Sequence, residues 1–106
     1  MYASFRRYRM GAGSMDDAMH LADTEFADRF AEEPGFVDYQ VVATDDDAII
    51  SMTIFEDEAQ CLASNDMAAE FVREHLGEFQ VERLDTFGGE VMVSRAAERV
   101  LEPAHH

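Results

Sequence analysis

The sequence has no lysine and no tryptophan, and it has only one cysteine and two prolines among 106 residues. A single cysteine excludes an internal disulfide and any metal site that needs paired cysteines. We expect Cys61 to be a buried small hydrophobic residue rather than a reactive thiol. No apolar run reaches the roughly 18 residues of a membrane span, and the N-terminus lacks the charged and apolar segments of a signal peptide. The expected location is therefore cytoplasmic.

Positive charge is also scarce. All eight basic residues are arginines, and they stand against 23 acidic residues, for a net charge of -15. A field of this sign repels nucleic acid and anionic membranes, so neither is an expected partner. The acids are spread along the chain, which favours a surface adapted to high salt, as in a halophile, over an acidic regulator or a binder of basic partners.

This interpretation carries a prediction about salt. Unscreened carboxylates repel one another, so the fold should be less stable at low ionic strength. The midpoint of thermal unfolding should therefore rise as KCl is added at constant pH. A midpoint that is independent of salt would contradict the high-salt interpretation.

The strand Ala48–Phe55 organises the predicted fold. Ile49 and Phe55 point to one face, whereas Ile50, Met52 and Ile54 point to the other. A strand that is apolar on both faces is normally covered on both. Two predicted helices can cover one face, so we expect a second copy of the chain on the other.

The first strand is predicted over Tyr2–Arg9, with Tyr2, Ser4, Arg6 and Tyr8 on one face. It carries three of the eight arginines. These are either solvated or paired with acids, or one of them reaches into a pocket to hold an anionic or carbonyl oxygen.

Capping patterns predict the starts of two helices. Ser14 with Asp17 begins the first, which runs to about residue 32 and stops at Pro34-Gly35. Asp57 with Gln60 begins the second, which ends near Leu76-Gly77. The predicted apolar stripes contain Met15, Met19, Ala22, Phe26 and Phe30 in the first helix, and Leu62, Met67 or Ala68, Phe71, Val72 and His75 in the second.

Polar residues within these helices leave some questions open. The run Ser64-Asn65-Asp66 could kink or re-cap the second helix. His20 is expected at the surface or its boundary. His75 is either a hydrogen-bonded core residue or a ligand or base.

Two further strands complete the pattern. Phe36–Ala43 pairs with Ala48–Phe55 through a tight polar loop, and the last strand begins at Val81, bends at Gly88-Gly89 and resumes over Glu90–Ser94. This last strand could pair with that of a neighbouring subunit. Residues 1–95 form one domain, and residues 96–106 form a short tail whose His105 and His106 are assigned no role.

The predicted fold class is α+β, with the ferredoxin-like split βαβ order β-α-β-β-α-β and an antiparallel sheet. Helices on one face leave the other face apolar. Two such faces packed together would make a two-fold homodimer with a closed, barrel-like core.

Several local patterns resemble the dimeric α/β-barrel superfamily, and specifically antibiotic biosynthesis monooxygenase-like (ABM) domains. The resemblance covers roughly residues 1–95. It is carried by Pro34-Gly-Phe36 with Tyr39, by Ile54-Phe55-Glu56 before the second helix, by Ser64-Asn65 through Phe71-Val72, and by Gly89-Glu90-Val91. Such a resemblance concerns the fold more than the chemistry.

The resemblance implies a cavity between sheet and helices, and the oxidation of a quinol or other small aromatic without a metal or a flavin. The residues implied are His75 as catalytic base and Arg6, Tyr39 and Asn65 as substrate-binding partners, with no cofactor. Haem-degrading relatives use an Asn in the first strand, a Trp, and a His late in the second helix. Only His75 matches, because Arg6 falls near the Asn position and the chain has no Trp.

Two other functions remain open from the sequence. One is a non-catalytic, small-molecule-binding or stress-related dimer, which needs the same pocket and no base. The other is a structural module whose pocket is filled by its own Phe and Met side chains.

Overall fold

A computed structural model describes residues 1–44 and 46–96. The strands are β1 (Tyr2–Arg9), β2 (Phe36–Ala43), β3 (Ala48–Phe55) and β4 (Glu82–Glu90). The helices are α1 (Met15–Leu21), α2 (Ala27–Ala31) and α3 (Glu58–His75), with a π-helical turn at Ala22–Phe26 and a 3-10 turn at Gly77–Phe79. All strand pairs are antiparallel, in the order β2-β3-β1-β4, which confirms the predicted α+β fold.

Both predicted helix caps are present. The Ser14 hydroxyl accepts a hydrogen bond from the Asp17 amide at 3.3 Å, and the Asp57 carboxylate accepts one from the Gln60 amide at 2.8 Å. Each bond satisfies an amide that has no partner within its own helix.

The first helical region is less regular than its stripe predicts. A π-helical turn separates α1 from α2, and within it the Thr24 hydroxyl donates to the His20 carbonyl at 2.9 Å. Such a side-chain bond competes with the backbone ladder. Ala22, Phe26 and Phe30 are nevertheless buried, so the apolar stripe survives across the turn.

Strand β3 has the two faces expected of it. Ile49, Ser51, Thr53 and Phe55 are buried, and Ile50, Met52 and Ile54 are half-buried on the opposite face. Helix α3 packs against β1 and β3, and α2 packs against β2, so the helices cover the first of these faces.

The predicted stripe on the second helix is wrong at its start. Leu62 is 46% exposed, and the buried side chains of α3 are instead Cys61, Ser64, Ala68 and Phe71. Small side chains let α3 approach β3, where the Ser64 hydroxyl lies 2.7 Å from the Thr53 hydroxyl. Helix α3 is continuous through Ser64-Asn65-Asp66, so these residues do not re-cap it. Cys61 is fully buried, as expected.

Strand β4 also differs from its prediction. Its register shift lies opposite Arg7 and Tyr8 rather than at Gly88-Gly89, and the strand ends at Glu90. The Val91 amide makes one more bond, to the Met1 carbonyl at 3.0 Å. Strand β1 begins at Tyr2, so it has no further residues to pair with β4 beyond Glu90. The tail beyond residue 96, with His105 and His106, lies outside the described residues.

The two adjacent glycines of β4 allow a controlled test of this packing. A Cβ on Gly88 would lie 2.6 Å from the Ala3 carbonyl oxygen, whereas a Cβ on Gly89 would meet nothing within 4 Å. We expect Gly88→Ala to lower the free energy of unfolding by about 1–3 kcal/mol, as overpacking does. Urea unfolding should show Gly89→Ala close to wild type, and equal losses in the two variants would contradict this packing.

The helices pack their apolar side chains over the centre of the sheet. One cluster joins Ala18, Ala22, Phe26 and Phe30 to Ala68, Phe71, Leu76 and Phe79. Within residues 1–44 and 46–96, no helix combines the length and apolar character that crossing a membrane requires.

Candidate functional site

Arg6 lies at the centre of the sheet and is fully buried. Strand β1 points it toward the helices, on the same face as Ser4 and Tyr8, as its alternation predicts. Its Nε donates to the Ser51 hydroxyl at 2.9 Å, and its Nη1 donates to the Thr53 hydroxyl at 3.1 Å. Ser51 lies directly opposite Arg6 in the β1–β3 register.

Asn65 of α3 completes this polar cluster. Its Oδ1 accepts hydrogen bonds from Arg6 Nη1 and from the Ser4 hydroxyl, each at 2.8 Å. The structure thus brings together two of the predicted binding residues, Arg6 and Asn65. We call Ser4, Arg6, Ser51, Thr53, Ser64 and Asn65 the Arg6 cluster.

The charge of Arg6 is not neutralised by its contacts. Its partners are two hydroxyls and an amide, and among residues 1–44 and 46–96 no carboxylate forms an ion pair with it. Its Nη2 atom is buried and has no hydrogen-bond partner within the described chain. Burial lowers the pKa of Arg6, because the interior disfavours the charged guanidinium.

An apolar cavity of about 30 Å³ lies beside the cluster. Aromatic walls are supplied by Tyr8, Phe26, Phe30 and Tyr39, and Ser51 belongs to both the cavity wall and the Arg6 cluster. The Arg6 guanidinium carbon lies 5.9 Å from the centre of the Phe30 ring. In this form the cavity has room for about one or two waters.

Tyr39, the third predicted binding residue, lines this cavity. Its ring centre lies 4.9 Å from that of Phe30. Burial raises the pKa of Tyr39 above its ordinary value of 10.0, although the nearby Arg6 charge lowers it. Tyr39 is therefore a neutral hydrogen-bonding group at all ordinary pH values, and not a base.

The raised pKa of Tyr39 predicts a loss of stability in alkali. Above pH 10 the unfolded chain releases the Tyr39 proton and the folded chain keeps it, so stability falls as pH rises. The free energy of unfolding of wild type should fall by up to about 1.4 kcal/mol per pH unit more than that of Tyr39→Phe. Urea titrations from pH 8 to 11 in constant high salt would measure this, and parallel curves would refute it.

A second arginine flanks the cluster, and no pattern in the sequence indicated it. Arg83 of β4 donates to the Asn65 carbonyl at 2.9 Å and to the Tyr8 hydroxyl at 3.0 Å. Its charge further lowers the pKa of Arg6. The site therefore concentrates positive potential inside a strongly acidic protein.

His75, the predicted catalytic base, lies outside the Arg6 cluster. It is at the end of α3, its ring centre is 6.1 Å from that of Phe26, and it does not line the cavity. Its side chain is 35% exposed, and Nε2 lies 3.9 Å from the Glu74 carboxylate. His20 is exposed, as expected.

Two hydroxyls that bind Arg6, those of Ser51 and Thr53, and the Ser64 hydroxyl that bonds to Thr53 were also missed by the sequence interpretation. Ser51, Thr53 and Ser64 interrupt apolar runs, and all three are buried. A polar residue at every inward position between Ile49 and Phe55 was the available signal. Among the described residues, no group of three or more His, Cys, Asp or Glu side chains could hold a metal ion.

Known proteins are similar to this chain in fold rather than in sequence. No protein-family model and no curated protein matches the sequence. The structure is similar to HapK from Hahella chejuensis, with a TM-score of 0.67 at 16% identity, over 93% of this chain and 100% of HapK.

Two similar structures are described as monooxygenases. The putative antibiotic biosynthesis monooxygenase from Chloroflexus aurantiacus has a TM-score of 0.64 at 17% identity, over 90% of this chain and 96% of that one. The monooxygenase from the gene ActVA-Orf6 of Streptomyces coelicolor has a TM-score of 0.58 at 19% identity, over 96% and 92%. The chain therefore has the ferredoxin-like fold of these monooxygenase structures.

Proposed function

We propose that this protein binds a small hydroxyaromatic, such as a quinol, between its sheet and helices, and oxidises it with dioxygen without a cofactor. The observation that supports this is an aromatic-walled cavity that shares Ser51 with the Arg6 cluster, although Arg6 and Asn65 do not themselves line the closed cavity. Apolar walls with a few fixed polar groups are typical of sites for small organic ligands.

The fold neighbours support the same proposal by analogy. The Streptomyces coelicolor monooxygenase was solved with the ligand nanaomycin D. This shows that a protein of this fold binds an organic ligand, and it leaves the substrate of the present chain to experiment.

The proposed reaction inserts one oxygen atom of dioxygen into a ring C–H bond of the phenol. The ring C–H and the phenol O–H are broken, the product is a quinone, and the second oxygen atom leaves as water. The substrate supplies all the electrons, so the protein needs only to bind, orient and deprotonate the phenol and to exclude water.

Each predicted site residue has a proposed role in this reaction. Arg6 and Asn65 orient the phenol oxygen, and neutral Tyr39 supplies a further hydrogen bond. His75 accepts the proton. Because His75 contacts Phe26 and does not line the cavity, proton transfer to it requires movement of Phe26 or a bridging water.

A ligand also requires the cavity to open. An engineered cavity of about 150 Å³ binds benzene in another protein, which is well above the volume seen here. The π-helical turn carries Ala22 and Phe26, two of the cavity walls, and such turns often accompany functional sites. We propose that this segment moves to admit the ring.

Dioxygen consumption tests this function. A panel of one-ring and fused-ring hydroxyarenes should contain a substrate that consumes one dioxygen per quinone formed, with one labelled oxygen incorporated from ¹⁸O₂. His75→Ala should reduce the rate by about 100-fold or more, as loss of a general base does. His20→Ala removes an exposed histidine and should leave the rate unchanged.

Different results would remove different parts of the proposal. Equal rates in wild type and His75→Ala would remove the role of His75 alone. No dioxygen consumption with any hydroxyarene would remove the oxidation. In that case, thermal stabilisation by the same compounds would identify a binding module without turnover.

The closed cavity favours a different candidate, a structural module whose pocket is filled by its own side chains. The walls include Met19, Phe26 and Phe30, so the chain's own side chains fill most of the space. A protein that no hydroxyarene stabilises would support the structural role.

We further propose that the functional unit is a homodimer formed through the open sheet face. Phe5 of β1 lies between Met52 of β3 and Phe87 of β4 on this face, because the strand registers place both residues opposite it. The Phe5 and Phe87 rings stack at 5.3 Å, and Phe87 is 57% exposed. A central apolar patch of this kind is typical of a subunit interface.

A further inference from the structure

The Arg6 guanidinium has one donor atom left over. Nε is bonded to Ser51, and Nη1 is bonded to both Thr53 and Asn65. Nη2 has no partner although it is buried. A buried donor without an acceptor is costly, so Nη2 calls for a partner such as a water, an ion or a ligand.

The missing partner is expected to carry negative charge. The neutral contacts of Arg6 leave a buried cation uncompensated, and Arg83 adds a second positive charge close by. The titratable groups that act on Arg6 are Tyr8 of β1, Tyr39 of β2, Cys61 of α3 and Arg83 of β4, and none of these is a carboxylate. Asp23 of the π-helical turn acts on Tyr39. An anionic ligand would therefore gain from a charge that the protein itself leaves unpaired.

The geometry also selects the kind of anion. A carboxylate binds arginine best through two parallel N–H donors on one edge of the guanidinium. Each edge of Arg6 that includes Nη2 also includes Nε or Nη1, and both of these already have partners. A single free donor atom suits a single oxygen, such as that of a phenolate.

We propose that Arg6 Nη2 receives the ionised oxygen of a phenol, and that the site prefers phenolates to carboxylates and to neutral aromatic ethers. This rests on the proposed function, because it takes the same cavity as the binding site, and it names the charge state of the ligand. The aromatic ring lies against Phe30, whose ring centre is 5.9 Å from the guanidinium carbon, and against Tyr39, which packs on Phe30. Because Arg6 does not line the closed cavity, the opening that admits the ring must also expose Nη2. The site thus stabilises the reactive phenolate without a carboxylate base in the cluster.

Three matched probes test the preference: 4-nitrophenol, 4-nitroanisole and 4-nitrobenzoate. They share one nitro-substituted ring and differ in the group that would meet Arg6. The expected result is that 4-nitrophenol binds most tightly, and that it binds as the yellow phenolate. Its pKa should fall by about one unit or more on binding, which corresponds to at least about tenfold tighter binding of the ionised form.

Arg6→Met provides the matched variant. It should bind 4-nitrophenol at least about tenfold more weakly and abolish the downward shift of the bound probe's pKa, while binding of 4-nitroanisole is retained. If this variant does not fold, the measurements on wild type decide alone, since the probe comparison and the colour titration need no variant.

Several results would overturn the inference. These are equal binding of 4-nitroanisole and 4-nitrophenol, tighter binding of 4-nitrobenzoate, ionisation of the bound phenol at the same pH as the free phenol, or no binding of any probe. Dioxygen consumption with a hydroxyarene despite any of these results would leave the proposed oxidation standing. Preferential phenolate binding without dioxygen consumption would support this inference and remove the proposed oxidation.

Discussion

Replacing Phe30 by alanine is expected to lower the free energy of unfolding by about 3–5 kcal/mol. Phe30 is 1% exposed, and its ring packs against those of Tyr39 and Phe71, with centres at 4.9 and 5.3 Å. Removing the ring loses these contacts and joins a new void to the existing cavity. A domain of this size has about 5–15 kcal/mol of stability, so much of it would be lost.

Two measurements check this prediction. Urea unfolding should place Phe30→Leu between wild type and Phe30→Ala, because leucine fills part of the same volume. Benzene should raise the thermal midpoint of Phe30→Ala, since a dry apolar cavity of sufficient size binds it. A loss below about 1 kcal/mol in Phe30→Ala would show that the helices collapse into the space.

Replacing Met52 by aspartate should convert the proposed dimer into a monomer. Met52 lies at the middle of the open sheet face, opposite Phe5 in the β1–β3 register. Dimerisation would bury the new carboxylate in an apolar centre at a cost of several kcal/mol. The dissociation constant should therefore rise by about a thousandfold or more, at 1.4 kcal/mol per factor of ten.

The folded monomer should tolerate this change, because Met52 is only half-buried in a single chain. Leu62→Asp is the matched control, since it adds the same charge at an exposed position of α3, on the helix-covered side. Sedimentation at high salt should show wild type and Leu62→Asp as dimers and Met52→Asp as a monomer. A monomeric wild type would refute the dimer outright.

The site could be predicted only in part. Alternation divides three neighbouring arginines between the two faces of β1 without indicating which face is inward, and the resemblance points to Arg6, Tyr39 and Asn65. That Asn65 meets Arg6 depends on how α3 crosses β1, and no local pattern encodes that crossing. Arg83 was missed for the same reason, because it reaches the site from β4, 18 residues beyond Asn65.

The misread elements have one cause. Hydrophobicity predicts Leu62 on the inward stripe of α3, whereas close packing against β3 buries the small residues Cys61 and Ser64. Glycine tolerates bends, which predicts a bend of β4 at Gly88-Gly89, but the register shift lies where β4 passes Arg7 and Tyr8. Both outcomes depend on the shape of a neighbouring element.

The sequence by itself determined the order of strands and helices, the two helix caps, the division of β1 into two faces and the two apolar faces of β3. These follow from local periodicity and capping, which act within a few residues. Only the tertiary structure decided that Arg6 sits among neutral hydroxyls and an amide, with one donor atom unpaired beside an aromatic cavity. That arrangement requires β1, β3 and α3 to meet, and burial then turns an ordinary arginine into an uncompensated charge.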